Sequence, residues 1–280
     1  MEHMIASWGK VNVTLRVTGR RSDGYHALHS AFFRVGPLET LRLRVRHGQD
    51  MGDTLFLRSE VPVVGENLVL RALALLRRHN GGLPFFEVEL SKQIPPGSGL
   101  GAGSGNAAAI LAWGRRQGLG VPEDGAVVAL GADVPFLASA CSAGCGEGVG
   151  EQLTFFSPPA LQVALVVPRW SCATGPAFAA LDRETSREWS SLEDARQESD
   201  GLLRALASGA SVGLLPNDFC PALCAEHGEY EEFFAHMRRQ GALGWGISGS
   251  GSAAFALFPR AKFVSLPDFS WARMGTLLEV

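Results

Sequence analysis

No run of about 18 uninterrupted apolar residues occurs in this 280-residue chain, which argues against a membrane-spanning helix. The N-terminal "MEHMIASWGKVNVTL" lacks the basic start and apolar block of a secretory leader, so a cytoplasmic location is expected. An excess of charge of one sign is missing too. A formal net charge of −3 gives no global basic field and speaks against nucleic acid as the partner. Anionic small molecules remain possible, because they need only a local positive site. Cysteine is scarce and odd in number, at five, which fits a reducing compartment. Cys141 and Cys145 share a four-residue spacing with Cys220 and Cys224. Neither pair has metal-finger spacing and no histidine completes a set, so free thiols and no metal site are expected. There is no internal repeat beyond a loose echo between two glycine-serine loops.

What is present is the composition of a globular chain, 46% hydrophobic and 19% charged, long enough for one large domain or two lobes. "KVNVTLRVTG", "HSAFFRVG" and "ETLRLRVRHG" alternate with a period of two and predict strands, with Leu41, Leu43 and Val45 on one face. Asp23-Gly24 marks a turn between the first two. "ENLVLRALALLRRHN" changes to helical spacing, placing Leu68, Ala72, Leu75 and Leu76 on one side. "FFEVELSKQI" returns to a strand. "SGNAAAILAWGRRQG" predicts a helix ending near Gly118, and "PEDGAVVALGADVPFLASA" another that enters a tight segment at Gly131 to Pro135. Pro158-Pro159 is the best domain boundary. Beyond it come a buried strand, "LQVALVVP", helices in "TGPAFAALDRE" and "YEEFFAHMRRQGA", and a strand-turn-strand in "GWGISGSGSAAFALFP". Arg183 to Asp200 reads as exposed helix and loop, and the residues from Lys262 onward carry no clear pattern.

The segment "IPPGSGLGAGSGNAA", Ile94 to Ala108, carries the strongest chemistry. A strand, a glycine-serine loop and a helix start form an anion site: glycines admit left-handed backbone, and the first helical amides are unpaired at the positive end of the dipole. Phosphate is the expected guest. Ser98 and Ser104 add hydroxyl donors, although Ser104 could instead cap the helix. No Gly-Lys-Ser/Thr follows, which excludes a Walker loop, and the alternate glycines make a poor dinucleotide fingerprint. A flexible surface connection is the plain alternative, but Pro95-Pro96 and the strong flanking elements argue for an ordered loop.

Three segments in order, "GKVNVTLRVTGRRSDGYHAL", "IPPGSGLGAGSGNAA" and "ISGSGSAAFALF", resemble the three motifs of the GHMP kinases, which phosphorylate small-molecule alcohols with ATP. "TGRRSDGYH", "LGADVPFLA", "EGVGE" at Glu147 to Glu151 and "NDF" at Asn217 to Phe219 are similar to those members whose acceptor carries a cytidine diphosphate. The resemblance covers nearly the whole chain, from about residue 8 to about residue 258. It implies an α+β, two-lobed GHMP-kinase fold. An N-terminal ATP-binding and catalytic lobe would span residues 1–157, and a C-terminal α/β substrate lobe residues 158–280.

The resemblance also implies roles. Asp133 would be the catalytic base, with Lys10 beside it keeping it ionised and steadying the transferring phosphoryl group. Asn12 and Thr174 would touch the acceptor; Tyr25 and His26 would hold the cytosine, with Phe178 stacked on its other face. Pro95, Gly97, Ser98, Gly99, Gly101, Gly103, Ser104, Gly105 and Asn106 would form the phosphate loop, with Asn67 and Lys92 near the adenosine end. Gly249, Ser250 and Gly251 would close the site. The implied partners are ATP with Mg2+ and 4-diphosphocytidyl-2-C-methyl-D-erythritol (CDP-methylerythritol), phosphorylated at its 2-hydroxyl in the non-mevalonate isoprenoid pathway. Neither nucleic acid nor membrane is expected as a partner, and the oligomeric state stays open between monomer and homodimer.

By residue chemistry alone, each role has a plainer rival. Asp133 could form a local helix-terminal turn, Lys10 could be a solvated strand lysine, Tyr25 and His26 ordinary post-turn residues, and Phe178 core. The chain also departs from the family pattern. Gly105 replaces the second of two serines, Ser98 and Ala102 stand where glycine is usual, and Gly9 replaces alanine. Loss of the hydroxyl at Gly105 would remove a phosphate or magnesium-linked contact. Two other readings remain: a GHMP kinase for homoserine or a mevalonate-type alcohol, and a nucleotide-binding relative without catalysis. "DGYH" argues against the first, and the joint presence of Lys10, Asn12 and Asp133 against the second.

Overall fold

A computed structural model describes residues 2–46, 52–59, 67–121, 124–183 and 188–280. Its strands are β1 (Glu2–Asn12), β2 (Arg16–Arg20), β3 (His26–Val45), β4 (Thr54–Ser59), β5 (Phe86–Lys92), β6 (Ala143–Gly148), β7 (Gln152–Phe156), β8 (Leu161–Pro168), β9 (Gly213–Leu214), β10 (Gly244–Ile247), β11 (Ala254–Pro259) and β12 (Ala272–Glu279). Its helices are α1 (Leu68–His79), α2 (Ala102–Arg116), α3 (Asp124–Val128), α4 (Val134–Ala138), α5 (Thr174–Arg183), α6 (Leu192–Ala207), α7 (Cys220–Glu226) and α8 (Glu229–Arg239). Contacts divide the chain into two compact units. Among the described residues no helix is long and apolar enough to cross a membrane.

The first unit comprises Met1–Lys10, Gly36–Pro96 and Gly101–Ala140. Within it, Thr40 to Val45 of β3 pair antiparallel with β5, and β5 pairs in parallel with β4. The period-two pattern explains the packing: Leu41 lies opposite Leu90 and Leu43 opposite Val88, and all four are fully buried. Helix α1 buries Val69, Ala72, Leu73, Leu75 and Leu76, a stripe at helical spacing. Each such leucine is worth about 1.5–3 kcal/mol. Asn67 caps α1 by accepting from the Val69 amide at 3.0 Å, and Arg77, Arg78 and His79 complement the dipole at its far end. The small residues of α2 allow close approach, with Gly114 set against the Leu76 side chain.

The second unit comprises Val11–Val35, Gly97–Leu100 and Cys141–Val280. Here the N-terminal half of β3 pairs antiparallel with β2 and β6, and β6 with β7. A five-stranded sheet in the order β12-β8-β11-β10-β9 makes the other layer. Central β8 is an almost continuous buried run, as a strand covered on both faces should be. Helix α8 turns Tyr230, Phe233, Phe234 and Met237 into a core that includes Val166, Phe219, Ala254 and Phe258. The Tyr230 hydroxyl donates to the Ser252 carbonyl at 2.8 Å, so its one polar atom is satisfied inside the core.

The predicted strand over residues 10–19 is broken. β1 ends at Asn12 and β2 begins at Arg16, because the backbone between them turns to other partners. Val13 N–H donates to the Ala31 carbonyl at 2.7 Å, and Leu15 N–H to that of Pro216 at 2.9 Å. "HSAFFRVG" and "ETLRLRVRHG" instead join into one strand, β3, through Gly36-Pro37. Arg183 to Asp200 supplies most of α6, capped by Ser191, which accepts from the Asp194 amide. The featureless C-terminus forms β12, an edge strand on β8 whose outward residues blur the hydrophobic signal.

Replacing Tyr230 with phenylalanine removes the donor to a buried carbonyl while keeping the ring. A loss of about 1–2 kcal/mol in unfolding free energy is expected by denaturant titration. Wild-type stability in Y230F would mean that water or a neighbour satisfies Ser252 instead.

Candidate active site

In the first unit the glycine loop runs into α2 through Gly101, which has φ 63° and serves as N-cap without any side-chain bond. The first i to i−4 bond of the helix runs from the Gly105 amide to the Gly101 carbonyl at 2.8 Å. The amides of residues 102–104 therefore precede any intrahelical acceptor and face outward at the positive end of a 15-residue helix. Ser104 lies inside the first turn and does not cap, contrary to the alternative drawn from sequence, because α2 begins two residues earlier, at Ala102. Around Gly103 a side chain would meet nothing within 4 Å, so this turn opens onto free space.

Asp133 sits at the N-cap position of α4 but makes no side-chain cap bond. Its carboxylate faces Gly101 instead: a Cβ on Gly101 would lie 2.8 Å from Asp133 Oδ2. Lys10, at the end of the first unit's part of β1, is buried. Burial pushes its ammonium below the usual lysine range, and the charge of Asp133 opposes that shift. An aspartate not used for capping, a buried lysine under its field and an open helix N-terminus thus belong to one unit.

Gly105 has a structural cause. A Cβ there would overlap the carbonyl oxygen of Trp8 in β1, so α2 and β1 approach closely enough to exclude any side chain. Lys92 and Asn106 are also buried, and both bond Glu39: Lys92 Nζ donates to Oε1 at 3.1 Å and Asn106 Nδ2 to Oε2 at 2.7 Å. Asn67 caps α1, and Pro95 is buried at the start of the loop.

In the second unit Gly97, Gly99, Gly249 and Gly251 all have positive φ. Gly97 accepts at its carbonyl from the amides of Cys172 at 2.9 Å and Ser252 at 3.1 Å, and buried Ser98 from that of Ala253 at 2.9 Å. Gly99 lies so close to the Ser248 carbonyl that a Cβ would overlap it. Asn217 holds the third motif from below, donating to the Ile247 and Gly249 carbonyls at 2.7 and 2.9 Å. Thr174 Oγ1 lies 3.2 Å from Ser250 Oγ. Asn12 is buried, with Nδ2 donating to Ser30 at 2.7 Å and its amide to Ser248 Oγ at 3.1 Å.

His26 stacks on Phe178 with centroids 4.7 Å apart and planes 21° apart. The two rings cover each other's inner faces, so a base would use other faces of this pair. Tyr25 stands beside them, 67% exposed. Nε2 of His26 is 2.7 Å from Asp182 Oδ1. A carboxylate only accepts, so that nitrogen carries a proton, and the bond holds Asp182 below the usual carboxylate range. Among the described residues no group of three or more His, Cys, Asp or Glu side chains is arranged to hold a metal.

Residues 67–141 match the model for the GHMP kinases N terminal domain. A Xanthomonas axonopodis pv. citri protein named 4-diphosphocytidyl-2-C-methyl-D-erythritol kinase is 36% identical over 255 residues, covering 89% of this chain and 80% of that one. A Porphyromonas gingivalis protein of the same name is 33% identical, with 94% and 96% covered. The chain belongs to the GHMP kinase family. A crystal structure of 4-(cytidine 5'-diphospho)-2C-methyl-D-erythritol kinase superposes with TM-score 0.75 at 29% identity over the full length of both chains. Homoserine kinase from Cytophaga hutchinsonii shares the fold at TM-score 0.61 and 19% identity, covering 93% of this chain and 86% of that one. The mixed α and β elements with two sheets are those of the GHMP-kinase fold, and the expectation of an ATP-dependent kinase holds with the family.

Sequence reasoning missed Glu39, Asp182 and the supporting role of Asn217. Glu39 reads as one more polar residue in an alternating strand, and its burial comes entirely from tertiary packing. The two buried lysines carried a usable signal: lysine occurs only at 10, 92 and 262, against 22 arginines.

Gly105→Ser should lower stability by about 1–3 kcal/mol through the clash with the Trp8 carbonyl. It should not improve the KM for ATP. Thermal unfolding and ATP kinetics check both; a stable G105S with tighter ATP would show that the position faces the nucleotide.

Proposed function

We propose that this chain transfers the γ-phosphoryl group of ATP to the 2-hydroxyl of 4-diphosphocytidyl-2-C-methyl-D-erythritol, within the non-mevalonate route to isoprenoid precursors. The family supports ATP and a small-molecule alcohol, and the shared name of the relatives supports this acceptor. The observation that carries the chemistry is Asp133: its carboxylate is not used to cap α4 and stands against Gly101, with buried Lys10 in its field.

On this reading Asp133 takes the proton from the 2-hydroxyl as that oxygen attacks the γ-phosphorus and the bond to the ADP oxygen breaks. Lys10 steadies the negative charge. The amides of residues 102–104 and the Ser104 hydroxyl meet the phosphates, donors suited to a polyanion and fixed before it arrives. Magnesium is read as a companion of the nucleotide. When bound it neutralises phosphate charge. Asn12 and Thr174 are assigned to the acceptor; Tyr25, His26 and Phe178 to the cytosine; Asn67, Lys92, Pro95, Gly97 to Asn106 and Gly249 to Gly251 to the nucleotide. Residues 1–157 and 158–280 are read as the two domains. β1 to β7 all precede Pro158 and the five-stranded sheet lies wholly after it, although the second compact unit draws residues from both sides of that boundary. The cytoplasm is the proposed location.

ADP release with purified protein tests the reading: turnover is expected with the cytidine-diphosphate acceptor and not with homoserine or mevalonate phosphate. Turnover only with one of the latter would overturn the assigned acceptor. Asp133→Asn should cost a hundredfold or more in kcat, on the order expected for a lost general base. It should also lower the Lys10 pKa further, because a cation loses its anion; an NMR titration reads this, and an unchanged value would remove the coupling. Gly103→Val should raise the KM for ATP by filling the open space at the first turn of α2, and an unchanged KM would move the phosphates elsewhere.

A further inference from the structure

Glu39 is the most heavily engaged buried carboxylate of the first unit. Its side chain has no solvent exposure, and its Oε1 accepts from Lys92 Nζ at 3.1 Å, the Gln93 amide at 3.1 Å and the Ile94 amide at 2.9 Å. Its Oε2 accepts from Asn106 Nδ2 at 2.7 Å. Residues 92–94 lead directly into the glycine loop, and Asn106 lies in α2 just after it. One carboxylate therefore fixes the chain on both sides of the loop, and it neutralises a lysine that would otherwise be buried alone.

The same bond settles the polarity of Asn106. The carboxylate oxygens of Glu39 accept from the N–H groups around them, so the NH2 of Asn106 faces Glu39 and its carbonyl oxygen faces away. That oxygen is buried, in a residue only 2% exposed, and has no hydrogen-bond partner among the described residues. A buried orphan acceptor costs about 1–3 kcal/mol, so such atoms are rare without a ligand or water to complete them. An acceptor cannot bond a phosphate oxygen, which carries no hydrogen at neutral pH. It can take an N–H or O–H, which a nucleoside triphosphate has only on its base and its ribose. An amide oxygen can also ligate magnesium, and the magnesium-free arm of the test below separates the two.

We propose that Glu39 is a positioning residue that holds Asn106 as a hydrogen-bond acceptor for an N–H or O–H of the nucleoside part of ATP, and that Asn106 does not contact the phosphates. This rests on the reading of the loop as the ATP site. Glu39 acts through Asn106 and the ends of the loop and does not touch the nucleotide itself.

The test is calorimetric binding of magnesium-free and magnesium-loaded ATP, compared with triphosphates that each lack one donor: purine riboside triphosphate without the 6-amino group, and 2′-deoxy- and 3′-deoxy-ATP. Wild-type protein should bind one of these about tenfold more weakly than ATP, and which one tells base from ribose. Asn106→Ala should erase that preference, binding ATP and the analogue alike. Glu39→Gln, combined with Lys92→Met so that no lysine is left unpaired, should turn an NH2 towards Asn106 and rotate its amide. The preference for the donor should then be lost, with the thermal midpoint checking that the fold is kept. If that double variant does not fold, the Asn106→Ala comparison decides alone. Equal wild-type binding of ATP and all three analogues overturns the inference, as does a preference that survives Asn106→Ala. If ATP binding is also untouched by Gly103→Val, the loop reading itself fails, and that outcome is distinct from loss of the Asn106 effect alone.

Discussion

Two consecutive carbonyls, those of Gly97 and Ser98, accept hydrogen bonds from the amides of Cys172, Ser252 and Ala253, and this bonding governs what the glycine loop offers to a ligand. A peptide unit directs its carbonyl and its N–H to opposite sides. Turning these carbonyls into the protein therefore fixes the planes of both peptide units, and with them the course of the loop. Such close approach to the third motif requires a bare backbone at Gly99, where any side chain would overlap the Ser248 carbonyl. The glycines of the loop are explained by two different demands: close approach to other backbone at Gly99 and Gly105, and open space at Gly103.

Electrostatics supplies the second demand. A chain of net charge −3 has no general attraction for a phosphate, so the attraction must be local. Burying Lys10 costs free energy, as its depressed pKa records, and Asp133 recovers part of it. The other buried lysine is matched by Glu39, its charge committed to holding the loop. The two lysines thus differ in their partners: one stands within the field of Asp133, and the other is paired with Glu39.

Much of this was legible in the letters. The loop, the helix behind it, the strand at "LQVALVVP" and the membership of Lys10 and Asp133 in one ordered set of motifs all follow from local pattern and resemblance. The break at Asn12, the continuity of β3 through Gly36-Pro37, and β12 were not legible. Each is decided by a partner distant in sequence: Ala31 and Pro216 for the first, and β8 for the last. Glu39 was invisible for the same reason, since an alternating strand gives no sign that a glutamate on it will lose all contact with water. Gly105 was legible as an anomaly, but its steric cause was not. Sequence suggested a lost phosphate contact, whereas the backbone of β1 leaves no room for a side chain.

Hydrogen-bonding capacity separates scaffold from contact among the polar residues that the resemblance groups together. Asn217 has both amide hydrogens on carbonyls of the third motif and its oxygen on the Phe219 amide at 2.9 Å. Its capacity is filled, and it holds the turn. Asn12 is largely filled as well, tied to Ser30 and Ser248. Asn106 differs, because the carboxylate that fixes its orientation also leaves its acceptor without a partner. A buried polar atom with nothing to bond costs free energy that a ligand can recover. The incomplete atom therefore points to a contact that residue type and position alone do not reveal.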